Sequence, residues 1–278
     1  MTSHSFTDAS FSVEAGIARF TMNRPDVLNA LTDGMKTDFN AMLDAVHGNS
    51  EVKVLVLAAN GRAFCAGGDV KSMGADGQPP AAFRDRVLDM HAWLKPLYNL
   101  DCPVVAAVDG LAYGGGMALA LAADFVLASE RARFSAVFGR IGLIPDMALL
   151  YTLPRLVGTQ RAKELMYTAR SVDADEALQL GLVLSVHAPA DLPAAVDAFA
   201  ARLAKGSKQA IGITKQLVNR SHTSDYDTMA ELEASGQALM HETEFHREAV
   251  RRFVAKEPSL YNWDEMSEAV ARQRDAAE

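Results

Sequence analysis

Short apolar runs alternate with helical apolar stripes along the N-terminal half of the chain. Alternating apolar and polar residues at 11–13 and Ile17–Met22 predict a β-hairpin. The continuous apolar runs Val54–Ala59 and Val104–Val108 predict strands that are covered on both faces. Between the hairpin and the first of these runs, Thr32 is predicted to cap a helix. The apolar face of that helix comprises Met35, Phe39, Met42, Leu43 and Val46.

The same alternation continues beyond the second buried strand. Helices are predicted at 81–99, 160–167 and 173–180, and further strands at 125–127 and 183–186. Strands that alternate with helices are typical of α/β proteins, whose elements stack around one core. The sequence therefore predicts an α/β protein with a β-rich core of stacked ββα turns.

Helical periodicity dominates from Asp191 to the end of the chain. The first apolar stripe of this region consists of Leu192, Val196, Phe199 and Leu203. No linker rich in Pro, Gly or Ser precedes it, so we expect the helices to pack onto the core. The predicted organisation is a core at 1–190 with a C-terminal helical region at 191–278.

A glycine-rich stretch follows each of the two buried strands. The first is AFCAGGD at 63–69, and the second is the glycine triplet at 114–116, which opens a helix rich in Ala and Leu. Glycine lets a backbone approach a ligand closely, and the first N–H groups of a helix have no partner within it. Each stretch could therefore donate one N–H to the same oxygen and stabilise a developing negative charge. The alternative is that these glycines only permit tight turns.

Composition narrows the class of protein. The chain has 278 residues and a net charge of −8, with no polybasic run, so nucleic acid is not an expected partner. Neither the two cysteines nor the histidines have metal-ligand spacing, and no metal site is predicted. The polar start and the lack of an apolar run of membrane-spanning length predict a soluble protein of the cytoplasm, without a membrane partner.

Motifs in order along nearly the whole chain resemble the crotonase superfamily, the enoyl-CoA hydratases and isomerases. They are NRP at 23–25 with LNAL at 28–31, AFCAGGD at 63–69, PVVAAVDGLAYGGG at 103–116, IGLIPD at 141–146, LPRLVG at 153–158 and the segment 177–183. The resemblance implies a crotonase-like right-handed spiral of ββα turns and an acyl thioester of coenzyme A as substrate. It also implies a homotrimer or hexamer built by the C-terminal helices, and no cofactor beyond the coenzyme A part of the substrate.

The resemblance also implies roles for individual residues. The backbone N–H groups of Gly68 and Gly115 are expected to hold the thioester oxygen while an enolate forms. Relatives often carry a basic residue where this chain has Val27, so the expected phosphate contacts fall to Arg24 and to Lys256 of a neighbouring subunit. The full set of expected coenzyme A contacts is Arg24, Val27, Ala66, Gly67, Asp69, Phe253 and Lys256. From the residues alone, Asp69 and Asp124 are expected to make structural hydrogen bonds or to pair with Arg131 or Arg133.

The acid that moves a proton is expected at Asp146. Hydratases of this family usually carry two glutamates, and the corresponding positions here are Ala118 and Phe138, which cannot move a proton. Asp146 lies where several enoyl-CoA isomerases of the family, and the phenylacetate-pathway epoxide isomerases, have their acid. Apolar surroundings would raise its pKa towards the range of a general base. Alternatively, Asp146 caps the helix predicted to follow it, and the two roles are compatible.

Three functions remain open from the sequence. The first is an enoyl-CoA isomerase, because one carboxylate can take a proton from one carbon and return it to another. The second is an enoyl-CoA hydratase, which must also activate a water molecule. The third is a coenzyme A-binding oligomer without catalysis. The acyl pocket is expected to involve residues 74–83, which begin with a loop rich in Gly and Pro, and Tyr113.

Overall fold

The computed structural model describes residues 6–69 and 79–267, and its centre is a six-stranded sheet. Numbered along the chain and given in spatial order, its strands are β1 (Ala9–Glu14), β2 (Ile17–Met22), β3 (Val54–Ala59), β5 (Val104–Val108), β7 (Phe125–Ser129) and β10 (Ser185–His187). The first two strands form the predicted antiparallel hairpin, and every later pairing in this sheet is parallel. The predicted loop at 74–80 falls mostly outside the described residues.

A second sheet of short strands lies beside the first. Its members are β4 (Ala63–Cys65), β6 (Leu111–Tyr113), β8 (Arg133–Ser135) and β9 (Val172–Asp173). The first three pair in parallel, and each follows a strand of the larger sheet. The chain therefore passes from the larger sheet to the smaller one and returns through helical segments, as the predicted ββα spiral requires.

Helices cover the two sheets. They are α1 (Asp33–Val46), α2 (Pro80–Tyr98), α3 (Gly115–Ala120), α4 (Leu149–Thr168), α5 (Ala174–Gln179), α6 (Leu192–Leu203), α7 (Lys208–Ser221), α8 (Tyr226–His241) and α9 (Glu244–Ala255), with 3-10 turns at Pro25–Val27 and Val137–Ile141. Thr32 caps α1 as predicted, since its Oγ1 accepts the N–H of Met35 at 3.2 Å. Within the described residues, no helix combines the length and the apolar character needed to cross a membrane.

Stacked aromatic rings join α1 and α2 to the larger sheet. Phe39 lies with its ring centroid 4.7 Å from Phe20 and 4.5 Å from Trp93, and all three side chains are buried. Offset stacking adds to the hydrophobic gain of burying rings of this size. The apolar face predicted for α1 is therefore the face that packs against the sheet and fixes the position of α2.

The opposite face of the larger sheet is covered by α6. Val54, Val56 and Val105 pack there against Val196 and Phe199 in a second buried cluster. Strands covered on both faces explain the continuous apolar runs in the sequence. The first helix of the C-terminal region thus packs on the core, as expected, whereas the division at residue 190 stays a prediction.

A buried ion pair anchors α7 to the sheet. The Lys215 ammonium lies 2.8 Å from the Asp124 carboxylate and donates to the carbonyl of Cys102 at 3.2 Å. Asp124 also accepts the N–H of Val104 at 2.7 Å. Asp124 therefore makes structural hydrogen bonds, as expected, whereas the expected pairing with Arg131 or Arg133 is wrong. Its partner Lys215 lies far along the chain, and such a distant pair leaves no local pattern in the sequence. Arg131 pairs with Asp109 instead.

Two other predicted elements differ from the structure. The helix predicted at 160–167 is the second half of α4, which begins at Leu149 and breaks at Gly158, where φ is 76° and ψ is 161°. The last strand of the larger sheet, predicted at 183–186, runs over Ser185–His187. The strands of the smaller sheet have two or three residues each, too few for a periodic pattern to identify.

We expect Lys215→Met to lower the free energy of unfolding by about 2–3 kcal/mol near neutral pH, because it leaves a largely buried carboxylate unpaired. Burial already raises the pKa of Asp124, against the opposing effect of Lys215. The substitution raises that pKa further, so the loss is largest above it and shrinks towards acidic pH, where Asp124 takes up a proton.

Urea unfolding at neutral and acidic pH measures this loss, with Lys205→Met, at an exposed position, as the control. Equal stability of the two variants would show that the ion pair contributes nothing.

Candidate functional site

A deep cavity of about 1480 Å³ opens between α2, the two glycine-rich stretches and the segment that precedes α4. Its wall is mostly apolar and includes Val87, Met90, Leu94, Phe138 and Ile144. Gly68, Gly115 and Asp146 line the same cavity. The structure therefore brings together the three residues expected to be catalytic, and apolar walls of this kind favour an apolar ligand.

The first glycine-rich stretch is held by the segment before α1. The N–H of Ala66 donates to the carbonyl of Leu28 at 3.0 Å, and the N–H of Leu31 donates to the carbonyl of Gly67 at 2.8 Å. Gly67 has a φ of +101°, and a β-carbon there would lie 2.9 Å from the carbonyl oxygen of Tyr113. Only glycine fits a backbone that is both left-handed and in contact with a second backbone.

The second stretch packs directly onto the first. A β-carbon on Gly116 would overlap the carbonyl oxygen of Cys65, and one on Gly67 would lie 3.2 Å from the nitrogen of Gly115. Within the described residues, no hydrogen bond from the N–H of Gly68 or of Gly115 is found. Gly115 is the first residue of α3, where N–H groups lack helical partners. Both groups therefore remain available as donors beside the cavity.

Asn29 is a positioning residue that holds the turn before α1 against the first glycine-rich stretch. It belongs to the LNAL motif at 28–31, but the sequence analysis assigned it no role. Its side chain is fully buried, accepts the N–H of Arg24 at 2.7 Å, and donates to the carbonyls of Asn60 and Ala63 at 2.9 and 2.8 Å. These bonds tie the turn at Pro25–Val27 to the start of β4. The sequence shows only an asparagine within the LNAL motif at 28–31, and the burial that reveals its role comes from the structure.

Asp146 lies half-buried at the cavity wall. Burial raises the pKa of its carboxyl group, while nearby His91, the backbone N–H of Asp146 itself and Arg86 oppose that rise. The alternative role as a helix cap is wrong, because α4 begins at Leu149 with Ala148 in the cap position and no side-chain bond there. Asp146 contributes only its backbone carbonyl, which accepts the N–H of Leu149 at 2.9 Å.

The backbone after Asp146 turns through two left-handed residues, Met147 with φ of 48° and Ala148 with φ of 61°. Such conformations are uncommon for residues other than glycine and persist where packing holds them. Met147 is buried, and its sulfur would lie 2.9 Å from a β-carbon on Gly115. This contact fixes the segment of Asp146 against the second glycine-rich stretch.

Apolar side chains occupy the two positions at which the resemblance expects acids. Ala118 is fully buried in α3. Phe138 lines the cavity, and its ring lies 3.8 Å from where a β-carbon of Gly114 would stand. These side chains can shape the cavity and exclude water, but neither can transfer a proton.

The residues expected to bind coenzyme A lie in two separate places. Arg24, Val27, Ala66 and Asp69 belong to the paired segments beside the first glycine-rich stretch. Arg24 lies 3.5 Å from Asp8, and the Val27 side chain is 44% exposed. Phe253 and Lys256 lie at the end of α9, away from the cavity lining of this chain. All these contacts stay predictions.

Basic side chains on α2 were missed by sequence reasoning. Arg86, His91 and Lys95 line the cavity alongside the apolar residues of the same helix. His91 and Lys95, four residues apart, share one helical face, but only the assembled fold shows that this face and Arg86 border the cavity.

A spiral of ββα turns that brings Gly68, Gly115 and Asp146 to one mostly apolar cavity is the arrangement that the resemblance predicts for an acyl-thioester enzyme. The model of the enoyl-CoA hydratase/isomerase family matches residues 12–265 of this chain. The chain therefore belongs to the enoyl-CoA hydratase/isomerase family, within the crotonase superfamily, and is an enzyme of that family, for which an acyl-CoA substrate is implied.

Relatives carry both activities in their names. A probable enoyl-CoA hydratase of Rhodobacter capsulatus is 34% identical over 91% of this chain and 97% of its own length. The 1,2-epoxyphenylacetyl-CoA isomerase of Escherichia coli is also 34% identical, over 88% of this chain and 94% of its own length. A crystal structure of an enoyl-CoA hydratase/isomerase from Cupriavidus metallidurans superposes with a TM-score of 0.89 at 38% identity, covering 93% of this chain and 97% of its own.

We expect Gly116→Ala to destabilise the protein by about 3 kcal/mol, because the added methyl group overlaps the backbone of Cys65 and forces the two stretches apart. Gly139→Ala is the matched control, since its β-carbon would lie 3.6 Å from the nearest atom, an ordinary contact. Thermal unfolding of both variants measures the difference, and a Gly116→Ala variant as stable as the control would contradict the packing described.

Proposed function

We propose that the protein is an enoyl-CoA isomerase that shifts a double bond between the β,γ and α,β positions of an acyl-CoA. One observation carries this proposal: Asp146 is the only carboxylate among the described residues that line the cavity beside Gly68 and Gly115. A single carboxylate suffices for a proton transfer from carbon to carbon. Hydration also requires a water molecule to be activated and oriented.

The proposed reaction begins when the Asp146 carboxylate accepts a proton from the α-carbon of a 3-enoyl thioester. The electron pair of the broken C–H bond spreads over the thioester oxygen, and the N–H groups of Gly68 and Gly115 donate to that oxygen. Two such donors in a mostly apolar cavity stabilise the dienolate, and each is typically worth about 3 kcal/mol. Asp146 then returns the proton to the γ-carbon, which moves the double bond to the α,β position and regenerates the carboxylate.

Hydratase activity is the second candidate, supported by the relatives named for it and by His91, an imidazole that also lines the cavity. Phe138 argues against it, because this apolar side chain stands where the resemblance expects an acid that would orient water. A non-catalytic role is less well supported, since the raised pKa of Asp146 suits a proton carrier better than a structural residue.

Asp146→Asn should reduce isomerisation of a 3-enoyl-CoA by about 10²–10⁴-fold, since the amide cannot accept a proton. Its thermal stability at neutral pH should equal or exceed that of the wild type, because the substitution removes the cost of burying a carboxylate. Product analysis with a 3-enoyl-CoA and, separately, a 2-enoyl-CoA measures both activities.

The control for this experiment is Asp85→Asn, which changes an exposed acid on α2 and should leave turnover unchanged. Undiminished isomerisation by Asp146→Asn would rule out Asp146 as the proton carrier. Efficient formation of a 3-hydroxyacyl-CoA by the wild type would assign hydratase activity instead.

We also propose that the protein forms a trimer, or a pair of trimers, through its C-terminal helices. Leu239 on α8 and Phe253 and Val254 on α9 are 62%, 85% and 76% exposed. No residue of α9 is buried within the described part of the chain. Exposed apolar side chains on neighbouring helices are typical of a surface that another subunit covers.

Light scattering should therefore give three or six times the chain mass of 29.9 kDa at micromolar concentration. Val254→Asp should shift the protein towards the monomer, because it places a charge in the apolar contact. Exposed Thr214→Asp on α7 is the control. A monomeric wild type would contradict the proposal and would remove the expected role of Lys256.

A further inference from the structure

The cavity extends well beyond the groups that the proposed reaction uses. Side chains of α2 line it at every turn from Phe83 to Tyr98, a distance of about 22 Å along the helix axis. Near the C-terminal end of α2 the lining also includes Asn219 and Arg220 on α7. Proton transfer beside Asp146 does not need this distant part of the cavity. Its residues therefore bear on which acyl group the protein accepts.

Hydrogen bonds hold the end of α7 against the end of α2. The side-chain amide of Asn219 donates to the carbonyl of Tyr98 at 3.1 Å and to the side-chain oxygen of Asn99 at 3.3 Å. Asn99 in turn donates to the carbonyl of Lys95 at 3.0 Å. Arg220 follows Asn219 directly in the chain. The backbones that carry Lys95 and Arg220 therefore meet in one region, which we call the α7 end of the cavity.

Tyr151 on α4 is fixed at the α7 end as well. Its hydroxyl donates to the carbonyl of Asn219 at 3.2 Å, and its ring meets that of Tyr98 edge-on with the centroids 5.9 Å apart. The guanidinium of Arg155 lies 3.4 Å from the centroid of the same ring, close enough for a cation–π contact. Contacts on several sides keep this ring in place, so the α7 end has defined walls.

Lys95 and Arg220 are cations whose charge no neighbour balances. Within the described residues, neither side chain has an ion pair or a hydrogen bond. Arg140, elsewhere in the lining, differs because it donates to the carbonyl of Ala169 at 2.7 Å. The chain carries a net charge of −8, yet Asp146 is the single acid among the described residues that line the cavity. Two unpaired cations at one end of a mostly apolar cavity favour an anion there.

We propose that the acyl group of the substrate carries a carboxylate remote from the thioester, and that Lys95 and Arg220 bind this carboxylate. The inference rests on the proposed function, because the thioester has to lie at Gly68 and Gly115 for its acyl group to extend towards the α7 end. Guanidinium pairs with carboxylate through two parallel hydrogen bonds, and the ammonium of lysine adds a further donor. The apolar side chains of α2 would contact the methylene groups in between.

The phosphates of coenzyme A are the other anions that such a substrate contains. The resemblance assigns them to the segment of Arg24 and Val27, beside the first glycine-rich stretch, and neither residue lines the cavity. The acyl part and the coenzyme A part leave the thioester carbonyl in different directions. With the phosphates beside the first glycine-rich stretch, the α7 end receives the acyl part.

The surroundings of the two cations set the size of the expected effect. Lys95 and Arg220 are both exposed, so a carboxylate between them keeps part of its hydration. It thereby avoids most of the cost of burying an ion. Ion pairs in such places are individually weak and are screened by salt. The proposal therefore predicts a preference of moderate size that declines as salt is added.

The test measures binding of saturated coenzyme A thioesters of unbranched dicarboxylic acids, from glutarate to sebacate, by calorimetry. Each is compared with the thioester whose remote carboxylate is replaced by an amide. Saturated thioesters have no double bond to shift, so the result does not depend on Asp146 as the proton carrier. At the best length, the acid should bind about ten-fold more tightly than its amide, and added salt should reduce this ratio.

Lys95→Gln and Arg220→Gln should each lower the ratio about three-fold, and the double substitution should bring it close to one. Lys163→Gln on α4 is the matched control, since Lys163 is exposed and lies outside the cavity lining. It should leave the ratio unchanged. Equal binding of acid and amide by the wild type at every length would overturn the proposal, as would a ratio that survives the double substitution.

Coenzyme A without an acyl group distinguishes the two sources of anion. The double variant should bind it as tightly as the wild type does. Weaker binding would show that Lys95 and Arg220 contact the phosphates, and would refute the carboxylate site. The two proposals can fail separately: normal isomerisation by Asp146→Asn would leave these binding results valid, and loss of the carboxylate site would leave isomerisation of a methyl-ended 3-enoyl-CoA unaffected.

Discussion

The contact between two glycine-rich backbones is the constraint on which the rest of the structure depends. Gly116 can approach the carbonyl of Cys65, and Gly67 can approach that of Tyr113, only because neither glycine carries a β-carbon. The smaller sheet makes this approach possible, since β4 and β6 are parallel neighbours and deliver both stretches to the same edge. Asn29, Leu31 and Met147 then hold the surrounding segments against this junction.

The chemistry of the site follows from placing one acid against this junction in apolar surroundings. Burial makes the carboxyl group of Asp146 a stronger proton acceptor when ionised, but it also favours the protonated form at a given pH. His91 and Arg86 on α2 oppose the second effect. The cavity therefore combines apolar walls, which strengthen hydrogen bonds to a developing charge, with basic side chains that oppose protonation of Asp146.

Much of the larger sheet could be predicted because its strands leave strong patterns. The runs Val54–Ala59 and Val104–Val108 are apolar throughout, and the structure covers them on both faces. The smaller sheet could not be predicted strand by strand, because three residues carry no period. The partners of Asp124 and the basic face of α2 were missed for a related reason. They depend on contacts between elements distant in sequence, which only the assembled fold brings together.

In this site the main chain supplies the proposed oxygen-binding groups, and the side chains supply the acid and the walls of the cavity. This difference affects how the protein could acquire new reactions. The groups proposed to hold a thioester oxygen are main-chain N–H groups, which a substitution at another residue does not remove. The cavity-lining side chains of Phe138, Asp146 and α2 can therefore vary while these N–H groups are kept. A combinatorial library confined to these positions would explore different fates of the same enolate, such as protonation, addition or elimination, on an unchanged scaffold.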